Sequence, residues 1–217
     1  ISNISIASTS TSLRIGRTTN TANITLNTAF TVAGPLSIHG GAVTQSSGAS
    51  MTSSGPMILE ATAGDLTLGA NSIVTGASNS MTLEASANVT ESAAITHQTN
   101  GGNLIVWSDS DATGGGYIAI RASSVLSTDN GANSRTSTTT GNIVLAGGTD
   151  ISSPQDGIPD GVASATSGAT FCAVESGTFG GATTVTGYYA GAGNITMRGT
   201  SSSGTDGVCL NFATAMF

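Results

Sequence analysis

Glu60 and Glu84 are the residues with the clearest claim to chemistry. They take the fourth place in two matching strings, Met57-Ile58-Leu59-Glu60-Ala61 and Met81-Thr82-Leu83-Glu84-Ala85. Two carboxylates held side by side can serve as acid and nucleophile in glycoside cleavage, or can bind a cation. Sugar-processing sites usually add basic residues and aromatics, and Trp107 is the chain's only tryptophan. The plainer expectation is therefore two outward glutamates in water, and no residue is assigned to catalysis.

The other candidates are sparse. His39 and His97 are the only histidines, and neither has Cys, Asp or Glu at metal-ligand spacing. Both are expected to be isolated surface residues. Asp109 and Asp111, and separately Asp150, Asp156 and Asp160, could hold calcium through oxygen ligands. Ser152 and Pro154 stand where further acidic ligands would be wanted, so turn-forming aspartates are the expectation. Calcium is the one cofactor left open. Asn3, Asn23, Asn88 and Asn194 begin Asn-x-Ser/Thr sequons, which the repeat described below generates as a by-product. The threonines of Thr9-Ser10-Thr11, Thr19-Asn20-Thr21 and Thr136-Ser137-Thr138 do not recur at one fixed period, so a regular water-ordering face is not expected. Cys172 and Cys209 both lie in the irregular C-terminal part, and an even count in an exported chain suggests a disulfide.

Short strands must position these groups. A small residue, then Asn or Asp, then apolar–x–apolar recurs at Asn3-Ile4, Asn23-Ile24, Asp65-Leu66, Asn103-Leu104, Asn142-Ile143 and Asn194-Ile195. Apolar–x–apolar is a strand with one buried face. The preceding Gly-Asn or Gly-Asp is a turn, because both tolerate left-handed backbone. A strand of three to five residues cannot bury its face alone, so it must stack on copies of itself. Met57 and Met81 set a period of about 24 residues, with two or three short strands in each period. That is one coil of a parallel β-solenoid. The 217 residues then make about nine coils, a rod about 40 Å long at the usual strand spacing.

Composition agrees. Ser, Thr, Gly and Ala number 31, 34, 30 and 28, more than half the chain, and charged residues are 8%. Thr, Ser, Gly and Asn disfavour helix. Narrow coils are expected to need them inside, where bulky side chains would clash, while neutral Ser and Thr outside avoid the repulsion of stacked charges. The chain has no Lys and a net charge of −7, which argues against nucleic acid as a partner. No apolar run approaches the roughly 18 residues of a membrane span. No signal peptide opens the chain, and Ile1 already lies in a strand-like pattern. A mature product or a piece of a longer chain is the expectation. The period breaks near 127–140 and 150–186, which read as loops projecting from the rod. No composition shift marks a domain boundary, so 1–217 is read as one domain.

The order Trp107-Ser108-Asp109-Ser110-Asp111, Gly114-Gly115-Gly116-Tyr117-Ile118-Ala119-Ile120, Gly141-Asn142-Ile143-Val144-Leu145 and Gly193-Asn194-Ile195-Thr196-Met197 resembles the repeat region of filamentous haemagglutinin-like exoproteins of Gram-negative bacteria. The resemblance covers roughly Asn23 to Gly207. It implies a right-handed parallel β-helix, secretion to the cell surface, and an adhesive role. The expected function is a structural rod whose terminal segments, Ile1–Ile6 and Val208–Phe217, stack against copies or neighbouring repeats. Host-cell or matrix glycans are the other expected partners. A β-helix that binds or degrades polysaccharide is the alternative.

Overall fold

The computed structural model describes residues 10–134, 137–165, 172–177, 187–200 and 206–210. These form a parallel β-solenoid built on three ladders. The first ladder stacks Leu13–Gly16, Leu36–Gly40, Met57–Ala61, Met81–Ala85, Leu104–Ser108, Ile143–Gly147 and Ile195–Met197. The second stacks Ile24–Leu26, Val43–Gln45, Leu66–Leu68, Val89–Glu91, Ile118–Ile120, Val174–Ser176 and Val208–Leu210. The third stacks Phe30–Val32, Met51–Ser53, Ser72–Ala77, Thr96–Asn100, Val125–Ser127 and Gly187–Tyr189. Each full coil contributes one strand to each ladder, and strands in a ladder pair parallel, in register except for a shift where Thr96–Asn100 meets Ser72–Ala77. Leu36 lies on Met57, Met57 on Met81, and Met81 on Leu104. Among the described residues no helix is long and apolar enough to cross a membrane.

Seven strands in a ladder span about 30 Å at the usual spacing. A constant period predicts about nine coils, but the later coils are longer. The stacked turn residues Asn103 and Asn142 are separated by 39 residues, and Asn142 and Asn194 by 52. Among the described residues the excess falls between ladder strands, which keep their parallel pairing.

The core departs from expectation. Leu36, Ile38, Met57, Leu59, Met81, Leu83, Leu104 and Ile118 point inward and are fully buried. The interior is thus wide enough for large aliphatic side chains. The small residues are needed instead at the corners and outside. Period-two alternation explains the sorting: in Met57–Ala61 the first, third and fifth residues are buried and the others half-buried.

Close approach of the turns explains the Gly-Asn pair. A Cβ on Gly102 would run into the carbonyl of Asn79, and one on Gly141 into that of Gly102. The asparagine beside each glycine ties coil to coil. Asn103 Oδ1 accepts a hydrogen bond from Asn142 N at 3.0 Å, and Asn142 Oδ1 accepts one from Asn194 N at 3.0 Å. A second column runs from Asp65, which accepts from Asn88 N at 3.1 Å, to Asn88, which accepts from Tyr117 N at 3.0 Å. These side chains satisfy backbone donors that the strand ladders leave over.

The described parts of the excursions are tethered to the rod. Thr128 and Asp129, at the start of the 127–140 break, are buried. Thr128 N donates to Tyr189 O at 2.8 Å. The 150–186 break contains a ladder strand, Val174–Ser176, and a short strand, Ala163–Ser164, which pairs with Gly199–Thr200. Residues 135–136, 166–171 and 178–186 of these breaks lie outside the described residues, as do 1–9 and 211–217. Cys172 and Cys209 form a disulfide with Cα atoms 5.8 Å apart, which fastens the start of one second-ladder strand to the next.

Two outcomes follow for stability. Asn142→Ala leaves the exposed Asn194 N–H to water, and a urea titration should show a loss of about 1 kcal/mol, while Asn142→Asp, which keeps an acceptor, should recover most of it. Cys172→Ser with Cys209→Ser frees a loop with a sequence separation of 37. By chain entropy it should cost about 4 kcal/mol, read as a drop in melting temperature that reductant reproduces in the parent chain.

Candidate functional site

Alternation turns the fourth residue of each first-ladder strand outward, and in-register pairing stacks those residues in one column. Gly16, His39, Glu60, Glu84, Trp107 and Ala146 follow one another up the rod. The two glutamates are therefore direct neighbours across one parallel strand pair. His39 lies below them and Trp107 above.

The lower pair is close. His39 Nδ1 and Glu60 Oε2 are 2.5 Å apart, with side-chain exposures of 7% and 17%. The turn before the second ladder supports it: Asn20 Nδ2 donates to His39 O at 3.1 Å, and Thr62 Oγ1 donates to Asn20 O. At the upper end, Trp107 Nε1 donates to Gly148 O at 2.6 Å. Trp107 and Ala146 are buried although they face out of the coil. The upper part of this face is thus closed, and the column opens at Glu60 and Glu84.

Glu84 differs from Glu60 in its setting. Burial, then repulsion from Glu60, pushes its carboxyl up to about 7 from an ordinary 4.5, while a hydrogen bond with Ser110 opposes the rise. Ser110 opens the loop after Leu104–Ser108, and its N–H donates to Ala85 O at 3.1 Å. At neutral pH Glu84 is therefore about half protonated.

His97 also contradicts the expectation of an isolated surface histidine. It is fully buried inside the solenoid, with Nε2 3.3 Å from Glu91 Oε1. Glu91 Oε2 accepts from Arg121 N at 2.8 Å and from Ser124 Oγ at 2.5 Å. His39 and His97 meet their acids through stacking across coils or across ladders, which local spacing cannot reveal.

The aspartates act on their own loops. Asp150 accepts from Ser152 N at 3.0 Å, Ser152 Oγ at 2.5 Å and Gly157 N at 2.8 Å. The Ser152 hydroxyl and these N–H groups hold its carboxyl below the usual range. Asp156 Oδ1 accepts from Ile158 N, and Asp160 Oδ2 from Ile151 N. Burial and then Asp111 push the Asp109 carboxyl up. Among the described residues no three His, Cys, Asp or Glu side chains gather as metal ligands. The sequon amide of Asn88 is engaged on both sides, since its Nδ2 donates to Asp65 at 2.9 Å; Asn3 lies outside the described residues. The outward row beside the acid column runs Ser37, Ile58, Thr82, Ile105, Val144 and Thr196, so no flat threonine face forms there.

No family model matches the chain, and no curated protein or solved structure matches it.

The raised Glu84 carboxyl sets a pH dependence. The folded chain binds this proton more tightly than the unfolded chain, so its stabilising effect is complete below about pH 4.5 and is lost as pH rises through 7. Glu84→Gln should remove that slope. At pH 8 it should unfold later than the parent, by up to about 3 kcal/mol, in denaturant titrations at pH 4, 6 and 8.

Proposed function

We propose that the chain is a segment or subunit of an extracellular adhesive rod, of the kind its repeats resemble in filamentous haemagglutinin-like exoproteins. The observation that carries this reading is the repetition of three parallel ladders in register along the described chain. Such a body is stiff along its axis, because every coil is hydrogen-bonded to the coils on either side. It is also extendable, since a coil's upper edge has the same cross-section as its lower edge. A surface poor in charge and rich in Ser, Thr and Asn suits contact with neutral surfaces and neighbouring chains. In this reading the rod is secreted to the cell surface, and copies or adjacent repeats stack end to end.

A second reading is favoured by one observation. The acid column places two half-buried glutamates side by side on the outer face, a pair that can accept hydrogen bonds from sugar hydroxyls.

End-to-end stacking predicts rods longer than a single chain. Electron microscopy and sedimentation at rising concentration should show filaments and growing mass. A species that stays monomeric across the range, with single short particles on the grid, would count against the rod.

A further inference from the structure

The chain carries two Asn-Gly pairs, Asn100-Gly101 and Asn130-Gly131. Asparagine before glycine has a chemistry of its own, because no Cβ shields the glycine nitrogen from the neighbouring side-chain amide. We infer that Asn130-Gly131 is a site of spontaneous covalent modification, where the asparagine deamidates through a cyclic imide, and that the fold protects Asn100-Gly101 from the same reaction.

The reaction needs a side-chain amide free to swing onto the next nitrogen, a backbone N–H free to lose its proton, and water at hand. Asn130 and Gly131 are both exposed. They form the tip of a turn shortly after Val125–Ser127, with φ of 60° and 74°, and Ala132 N donates to Asp129 O at 3.3 Å across it. A two-residue turn with both central residues left-handed is the one that Asn-Gly prefers. Asn130 is anchored through its own N–H, which donates to Thr99 O at 3.1 Å. Among the described residues, the Asn130 side-chain amide and the Gly131 N–H have no hydrogen-bond partner.

The other pair is the internal control. Asn100 and Gly101 are half-buried. Asn100 Nδ2 donates to Thr75 O at 3.0 Å, and Gly101 N donates to Thr128 O at 2.9 Å. The coil below thus holds the amide, while the coil above holds the nitrogen that would attack it. Asn133, close to the exposed pair, is followed by Ser134, which has a Cβ and whose N–H donates to Asp129 Oδ2 at 2.8 Å.

The steps balance. Hydroxide takes the proton from Gly131 N, which attacks Asn130 Cγ. A carbon–nitrogen bond forms, and the side-chain nitrogen leaves as ammonia after taking a proton from solvent. Water then opens the five-membered imide at either carbonyl. Opening at Cγ gives aspartate. Opening at the backbone carbonyl gives isoaspartate, whose chain runs through the former side chain. One water is consumed, one ammonia is released, and nothing is oxidised or reduced.

The site matters for the rod. Either product sets a negative charge beside Asp129, whose buried carboxylate already accepts from Ser127 Oγ and Ser134 N. Isoaspartate also lengthens the backbone between residues 130 and 131 by one carbon, which the closed turn has no room for. Thr128 N and Asn130 N, which tie this excursion to Tyr189 and Thr99, lie at the start of the turn, so the modification loosens the tether. The inference rests on the described coils and needs neither end-to-end assembly nor export.

The test ages the full chain at pH 6, 7 and 9, folded and in urea. With no lysine in the chain, trypsin cuts only after arginine, so Asn130 falls in peptide 122–135 and Asn100 in peptide 18–121. The expected result is a gain of about 1 Da with isoaspartate at residue 130, faster as pH rises. In the folded chain it should run at least ~10-fold faster than at residue 100, and in urea the two rates should converge. A Cβ at Gly131 would meet Gln98 Oε1 at 2.6 Å, so the variant used is Asn130→Gly, which suits the left-handed backbone and should abolish the gain in peptide 122–135. A gain that persists in that variant places the reaction at Asn133 and overturns the proposal. Equal rates at the two pairs in the folded chain, or no change at residue 130 while the urea-unfolded chain reacts, also overturn it. Hydrogen exchange across 128–134 should be faster in the aged chain than in the fresh one; matched exchange overturns the loosening of the tether.

Discussion

Backbone hydrogen bonding between successive coils is the constraint on which everything else depends. Each strand is only a few residues long, and its N–H and C=O groups have partners only if the next coil places a strand directly above it. The three ladders keep this register from Leu13 to Met197 in the first sheet. Turn chemistry serves the same end. Glycine permits the corner to approach the coil below, and asparagine lends a carbonyl to the backbone above. Most variation in coil length falls at the corners, and the ladders absorb only the shift between Ser72–Ala77 and Thr96–Asn100.

The strand pattern was legible because it is local. Apolar–x–apolar after Gly-Asn marks Ile143–Gly147 and Ile195–Met197 from a handful of residues. The 24-residue offset of Met57 and Met81 gave the stacking of Glu60 on Glu84. Composition misleads about the interior, because the small residues that dominate it suggest a narrow core. The burial of Leu, Ile and Met shows that the three-sided coil has room for them, and that Ser, Thr and Gly serve its corners and surface. Val174–Ser176 was hidden inside an irregular stretch, since Ser176 stands where the apolar–x–apolar signature has its second apolar residue.

The histidines show where local reading stops. His39 meets Glu60 across 21 residues and His97 meets Glu91 across the bend between two ladders. Neither distance is a motif. Each follows from strand register, which is known only once the turns are known. Trp107 likewise enters the acid column only through pairing with Glu84. A site assembled this way leaves one residue per coil in the sequence, diluted among some twenty others. The buried Glu91–His97 pair has a different character. It lies inside, held by Arg121 N and Ser124 Oγ, and its burial ties the fold to a charged or polar match at that corner.

The near-identity of Met57–Ala61 and Met81–Ala85 bears on ancestry. Two strands that agree at four of five positions and stack in register are what copying a single coil would leave behind. A lone outward carboxylate, once copied, faces its own duplicate at strand spacing, and the crowding of the two changes the proton affinity of one. Copying a coil thus sets two carboxylates face to face, and the unequal burial of the copies, with their mutual repulsion, makes them unlike.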